Sequence, residues 1–355
     1  MVKKMNENRL IEIGSLQTGK KNNICDVPGV LVGHSTINTD NIHTGITAIL
    51  PHKGNMFREK VVSACYSYNG YGKSMGLVQI EELGTIETPI LLTNTLAIGK
   101  VSDGLISYML KDNPEIGIST STVNPIVMEC NDGTINDIQK RVLNEDNVFE
   151  AIKCAKTDFE QGNIGGGTGM KCNGFKGGIG SASRIISFND KEYVVGVLVN
   201  SNFGSSNGEN LIIKGREMGN LIKNYNLPQE EDKGSIIIVV GTNLPLDSRQ
   251  LKRVAKRTIL GLSRTGSYGG NGSGDIVLAF STENKVKHFN NDVIEAITRF
   301  SDNNINKVFK ATVEATEEAI LNSMLYSEGV KGFDGKYCKS LNEYKELFND
   351  LLIKE

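Results

Sequence analysis

Lys233-Gly234-Ser235-Ile236-Ile237-Ile238-Val239-Val240-Gly241 is the stretch on which the fold turns. In an extended backbone successive side chains point to opposite faces, so Ile236, Ile238 and Val240 share one face and Ile237 and Val239 the other. Both faces are apolar. A strand of this kind is covered on both sides, which calls for a sheet packed between other layers. The polar run Gln229-Glu230-Glu231-Asp232-Lys233 before it reads as an exposed linker.

Gly234-Ser235 at the head of that strand also reads as a self-cleavage junction. A serine hydroxyl is a weak nucleophile near neutral pH and needs a base beside it. Cutting the Gly234-Ser235 bond would leave Ser235 with a free α-amine, whose reference pKa of roughly 7.7 to 8.0 makes it a base near working pH. Gly234 has no Cβ and tolerates the strained backbone that brings Oγ onto the preceding carbonyl. A Gly-Ser pair also ends many ordinary turns, so the junction takes its meaning from the motifs around it.

Other runs rich in branched apolar residues read as strands over 29–32, 46–50, 60–68, 89–93, 178–187, 193–200, 235–241 and 276–281. Helices are expected over 98–110, 148–161, 210–225, 247–262, 291–300 and 304–324. Over 247–262, Leu251, Val254, Ala255, Ile259 and Leu262 keep helical spacing, Lys252, Arg253, Lys256 and Arg257 take the other side, and Asp247 suits the N-cap. The expected architecture is layered α/β. With 355 residues, 39% of them hydrophobic, and a net charge of −2, the composition is that of a globular protein. Near-balanced charge gives no footprint for nucleic acid, and no apolar segment reaches membrane-spanning length. The N-terminus lacks the apolar stretch of a signal peptide, so a cytoplasmic location is expected.

Six cysteines and four histidines lie scattered, without a C-x-x-C pair, so no metal site and no cofactor are expected, and the thiols are expected to be reduced and mostly buried. The histidines read as surface or structural. Neither glycine loop completes a phosphate fingerprint: five residues before Gly72-Lys73-Ser74, where a P-loop needs glycine, stands Ser67, and Gly165-Gly166-Gly167-Thr168-Gly169-Met170 fails G-x-G-x-x-G at Met170.

Four ordered segments together resemble the self-processing serine aminopeptidase family, which includes the L-aminopeptidase D-amidase/D-esterase and the β-peptidyl aminopeptidases. They are Asp26-Val27-Pro28-Gly29-Val30 with Val32-Gly33-His34, Asn163 to Gly169 with Lys176-Gly177-Gly178-Ile179-Gly180, Gly234-Ser235, and Asn271-Gly272-Ser273-Gly274-Asp275. The resemblance implies one αββα sandwich, similar in layering to the N-terminal nucleophile hydrolases but different in connectivity. It also implies self-cleavage into 1–234 and 235–355, and a homo-oligomer, often a tetramer.

The resemblance carries roles onto particular residues. Ser235 matches the nucleophile, and Ser273 and Asp275 match the serine-acid pair that assists it. Two residues apart on an extended segment, that pair addresses one point. The same segment also reads as a Gly-Ser-Gly-Asp turn. Asn202 matches the oxyanion donor, with Asn200 on the same face behind it. Glu129 matches the carboxylate that takes the ammonium of a substrate's free amino end, with Asp132 nearby as a fallback that also fits a turn. Asn131 stands where the L-aminopeptidase prototype has a tyrosine, which leaves the third polar contact and the substrate preference open. The implied activity is hydrolysis of a peptide, amino acid amide or ester at its amino end through an acyl-enzyme. Two other readings are an acyltransferase resembling ornithine acetyltransferase and an unprocessed binding or scaffold protein.

Overall fold

Ser235–Thr242 forms the expected strand, and all eight of its residues are buried. The computed structural model describes residues 9–205, 207–222 and 234–353; Lys233, the 229–233 linker and residues 223–225 lie outside them. In chain order the main strands are β1 (Leu31–Asn38), β2 (His43–Leu50), β3 (Glu59–Gly70), β4 (Thr85–Ile86), β5 (Ile90–Asn94), β6 (Ile126–Cys130), β7 (Gly178–Phe188), β8 (Lys191–Asn202), β9 (Ser235–Thr242) and β10 (Gly274–Lys287). The main helices are α1 (Leu77–Leu83), α2 (Ile98–Asp112), α3 (Glu145–Lys153), α4 (Ser248–Ser263) and α5 (Asn306–Leu325).

The strands build a four-stranded sheet in the order β1-β2-β5-β6 and a six-stranded sheet in the order β4-β3-β10-β9-β8-β7. Three apolar layers follow from the alternation of side chains. Ile237 and Val239 of β9, with Leu198 and Leu278, face Val32, Ile49, Leu92 and Met128 between the two sheets. Ile236, Ile238 and Val240 face the other way, onto Leu251 and Val254 of α4 and Ala315 and Ile320 of α5. Ile46, Leu91 and Val127 pack beneath Val101, Leu105 and Val148 of α2 and α3. Fully burying each such side chain is worth about 1.5–3 kcal/mol relative to leaving it exposed. The result is helices, sheet, sheet, helices: the αββα order expected from the sequence.

Asp247 caps α4 as expected, accepting from Gln250 N–H at 2.7 Å while Gln250 Oε1 accepts from Asp247 N–H at 3.1 Å. Other expectations need correction. Residues 291–300 are irregular, not helical, and Val293, Ile294 and Ile297 are exposed, so their spacing buries no face. Within 210–225 the chain makes a small hairpin of Ile212–Ile213 with Arg216–Glu217 and one helical turn, Gly219–Ile222. Gly215, with φ +79°, turns that hairpin. The helix expected over 148–161 begins earlier and stops at Lys153. All six cysteines are free; Cys154 is exposed, Cys338 half-buried and the other four buried. Among the described residues no helix is long and apolar enough to cross a membrane.

Candidate active site

β9 and β10 run parallel, joined by α4, so their N-terminal ends lie side by side, Ser235 opposite Gly274. Their antiparallel neighbours end at the same place: β8 pairs Asn202 with Ser235, and β3 pairs Gly70 with Gly274. Four strand ends therefore surround Ser235. Opposed residues of a ladder share a face, so Asn202 and Ser235 point together into the gap between the sheets, where β6 of the second sheet also ends.

Ser235 is 8% exposed, and its Oγ accepts from Gly274 N–H at 3.2 Å. Ser273 donates its hydroxyl to Asp275 Oδ1 at 2.5 Å, and both residues are buried. The i, i+2 spacing thus produces the serine-acid contact, while the bond made by Ser235 Oγ is to the backbone between those two residues. Gly234 has an unexpected reason to be glycine. Its φ is not in the left-handed region; a Cβ there would instead collide with the Asn202 carbonyl and Phe203 Cα. Close approach of two backbones, not strain, fixes the residue.

Asn202 is held at both ends of its amide. Nδ2 donates to Asn131 O at 2.9 Å, and Oδ1 accepts from Lys171 N–H at 2.9 Å. These two bonds set which end of the amide is the donor. Asn131 contributes through its carbonyl, because its side chain closes a turn by accepting from Gly133 N–H at 2.9 Å. Asn200 lies deeper and donates to Gly166 O at 3.2 Å. Glu129, near the end of β6, is buried; it accepts from Lys73 N–H at 2.8 Å and from the Thr95 hydroxyl. A Cβ on Gly72 would sit 3.5 Å from Glu129 Oε1 and 3.8 Å from Gly274 Cα, so the space between Glu129 and the end of β10 is walled by a residue without a side chain.

Asp132 turns away from this space. It accepts from Thr44 Oγ1 at 2.6 Å and Asn136 Nδ2 at 3.0 Å, and burial pushes its carboxyl up to about 6. The histidines hold loops and strands; His34, for example, bridges Thr47 Oγ1 and Glu160 O and is driven down to about 4 by burial. Thr95, the Lys73 amide and the Lys171 amide were not singled out in the sequence, since a contact between segments far apart in the chain leaves no local pattern. Among the described residues no group of three His, Cys, Asp or Glu is arranged to hold a metal.

The glycine-rich segment wraps a lysine. Lys176 is fully buried and donates to Gly167 O at 3.1 Å, Met170 O at 2.7 Å and Gly177 O at 2.6 Å, fixing the loop that carries Lys171. Burial lowers its ammonium from 10.5 to about 7. Between those values the unfolded chain holds a proton that the folded one has shed, so this group makes stability rise with pH in that window. In Lys176→Met the rise should be lost, and thermal melts at pH 7 and 9 should differ less than in wild type. An unchanged pH dependence would contradict the assignment.

The profile of peptidase family S58 matches residues 22–338. The chain is 35% identical to a β-peptidyl aminopeptidase, BapA, of Sphingosinicella microcystinivorans over 342 residues, which cover 89% of this chain and 84% of that protein. Among solved structures, a protein of Pyrococcus horikoshii OT3 superposes with a TM-score of 0.90 at 50% identity, over 95% of this chain and 96% of that one. The L-aminopeptidase D-Ala-esterase/amidase of Ochrobactrum anthropi, a prototype for the serine aminopeptidases and a variant of the Ntn hydrolase fold, superposes at 0.89 and 32% identity over 96% of each chain. With the match spanning nearly the whole αββα sandwich and every strand end around Ser235, the chain belongs to peptidase family S58.

Proposed function

We propose that the chain is a self-processing serine aminopeptidase or amidase whose nucleophile is Ser235. The observation that carries this reading is the meeting of Gly234-Ser235, the Ser273–Asp275 pair and Asn202 at neighbouring strand ends, with Glu129 across the gap. In the intact chain Ser235 Oγ attacks the Gly234 carbonyl carbon. The new Oγ–C bond replaces the C–N bond, and the proton lost from Oγ passes to the leaving nitrogen, which becomes the free α-amine. Water then hydrolyses the ester, releasing the Gly234 carboxylate from the Ser235 hydroxyl.

The mature serine repeats the chemistry on a substrate. Its amine, with Ser273 and Asp275, takes the Oγ proton as the bond to the substrate carbonyl forms and returns it to the leaving amine or alcohol; water releases the acyl group. Asn202 places one N–H on Asn131 O, and the other is assigned to the oxyanion, which forms in a site already oriented to receive it. Glu129 takes the substrate ammonium. A buried carboxylate that loses its cationic partner is costly, so a blocked amino end is rejected.

The test of this function compares a free amino acid amide with its N-acetylated form, using L-alanine, D-alanine and β-alanine as the acyl part because the relatives' names span those classes. Free amides should be cleaved and acetylated ones not. Glu129→Gln should lower kcat/KM for free amides by roughly 10- to 100-fold, the scale of one hydrogen bond to a charged group. Equal cleavage of free and acetylated amides would refute the aminopeptidase reading. Localisation in the cytoplasm and assembly as a homo-oligomer remain part of the proposal, checked by fractionation and by light scattering.

A further inference from the structure

The end of β3 carries a side chain tied to the nucleophile through a single peptide plane. Asn69 Nδ2 donates to Ser273 O at 2.6 Å and to Gly270 O at 2.8 Å, with a longer contact of 3.3 Å to Asn271 O. Ser273 O belongs to the peptide whose N–H, on Gly274, meets Ser235 Oγ at 3.2 Å. One amide group therefore holds the carbonyl end of the peptide whose other end touches Oγ.

The strand is shaped for this contact. β3 pairs Asn69 with Asp275 but Ser67 with Ile276, so Tyr68 is an extra residue and the ladder slips there. Opposed residues share a face, and a bulge changes which residues do so. The slip brings Asn69 to the face of Asp275 and so to the turn that carries Ser273. Holding the carbonyl also polarises the peptide, which strengthens its N–H as a donor.

We infer that Asn69 is a positioning residue for the reaction: by clamping the Ser273 carbonyl it aims the Gly274 N–H at Ser235 Oγ and fixes the Ser273–Asp275 turn. The inference rests on the reading of Ser235 as nucleophile. It gives Asn69 no contact with substrate, and its action runs entirely through backbone that Asn69 holds.

The experiment uses the full chain in three variants, Asn69→Ala, Asn69→Asp and Ser235→Ala, reading junction cleavage by intact mass and hydrolysis of an alanine amide. Losing an oxyanion donor outright costs roughly 10²–10³-fold in kcat, and a clamp acting at one remove should cost about 10-fold or more, with KM within about twofold. Asn69→Asp sharpens the test. Ionised, it only accepts and faces two carbonyls; protonated, it donates one O–H. Its cleavage rate relative to wild type should fall below that of Asn69→Ala at pH 8 and rise above it near pH 4.5.

Rates within twofold of wild type in both Asn69 variants would overturn the inference. So would a loss in Asn69→Asp that is the same at both pH values, since a purely structural role predicts no acid rescue. If Asn69→Ala fails to fold, the pH profile of Asn69→Asp decides. Activity retained in Ser235→Ala would overturn the nucleophile reading and this inference with it. An inactive Ser235→Ala beside wild-type Asn69 variants would overturn the positioning role alone.

Discussion

Ser235→Ala should purify as one 38.7-kDa chain, while the wild type separates under denaturing conditions into pieces of roughly 25.5 and 13.2 kDa, taking a uniform mean residue mass. The methyl group that remains has nothing with which to attack Gly234, and the exchange is small. Its structural cost is the Gly274 N–H left without its hydroxyl partner, about 1–3 kcal/mol. The variant should therefore stay folded and lose amide hydrolysis by roughly 10⁶-fold, the scale on which a hydrolase loses turnover with its nucleophile. A mutant that is cut normally, or stays uncut yet hydrolyses amides like the wild type, would remove Ser235 from the mechanism. A Ser235→Cys variant adds a check in the other direction, since a thiolate is intrinsically more nucleophilic and should retain measurable cleavage.

Asn202→Ala should follow as the next largest loss, roughly 10²–10³-fold in kcat from the missing oxyanion donor. Two further groups lose their partner, Lys171 N–H and the Asn131 carbonyl, so a lower Tm should accompany the loss. Asn202→Asp separates the two effects. Its carboxylate still accepts from Lys171 but sets negative charge where the oxyanion forms, so it should retain more stability than alanine and less activity. A kcat within a factor of two of wild type in either variant would rule Asn202 out as the oxyanion donor.

The layered fold was legible because β9 is apolar on both faces and because most other strands repeat short branched runs between turns. Those signals are local, and burial acted on them as the residue types suggest. β6 was less legible. Pro125 precedes it and Glu129 falls among its five residues, so the run shows no alternation, yet Glu129 is buried by contact with Lys73 and Thr95 from elsewhere in the chain. Residues 291–300 misled in the opposite sense, since Val293, Ile294 and Ile297 have helical spacing but no neighbouring layer to cover them.

Of the candidate site, the motif residues could be read in the chain, and their partners could not. Ser273 and Asp275 lie two apart and meet. Asn202, Ser235 and Glu129 come from three strands, and only the pairing of β8 with β9 and the packing of the two sheets give them a common space. Asn69 stands just past the strand expected over 60–68, and its importance depends on a ladder slip that one strand alone does not reveal. Gly234 was legible as glycine but for a different cause: the neighbouring backbone of Asn202 and Phe203 occupies its side-chain space.

The order β4-β3-β10-β9-β8-β7 has a mechanical consequence once the bond before Ser235 is broken. β9 and β10 then belong to the shorter piece and lie in the middle of the sheet, gripped on one edge by β3 and on the other by β8, both from the longer piece. The longer piece keeps the four-stranded sheet, but the six-stranded sheet is shared, so the pieces separate only by unravelling it, and a severed molecule that unravels must find its other half again by diffusion. Maturation would thus turn a chain that refolds alone into a pair whose survival is governed by how slowly it opens.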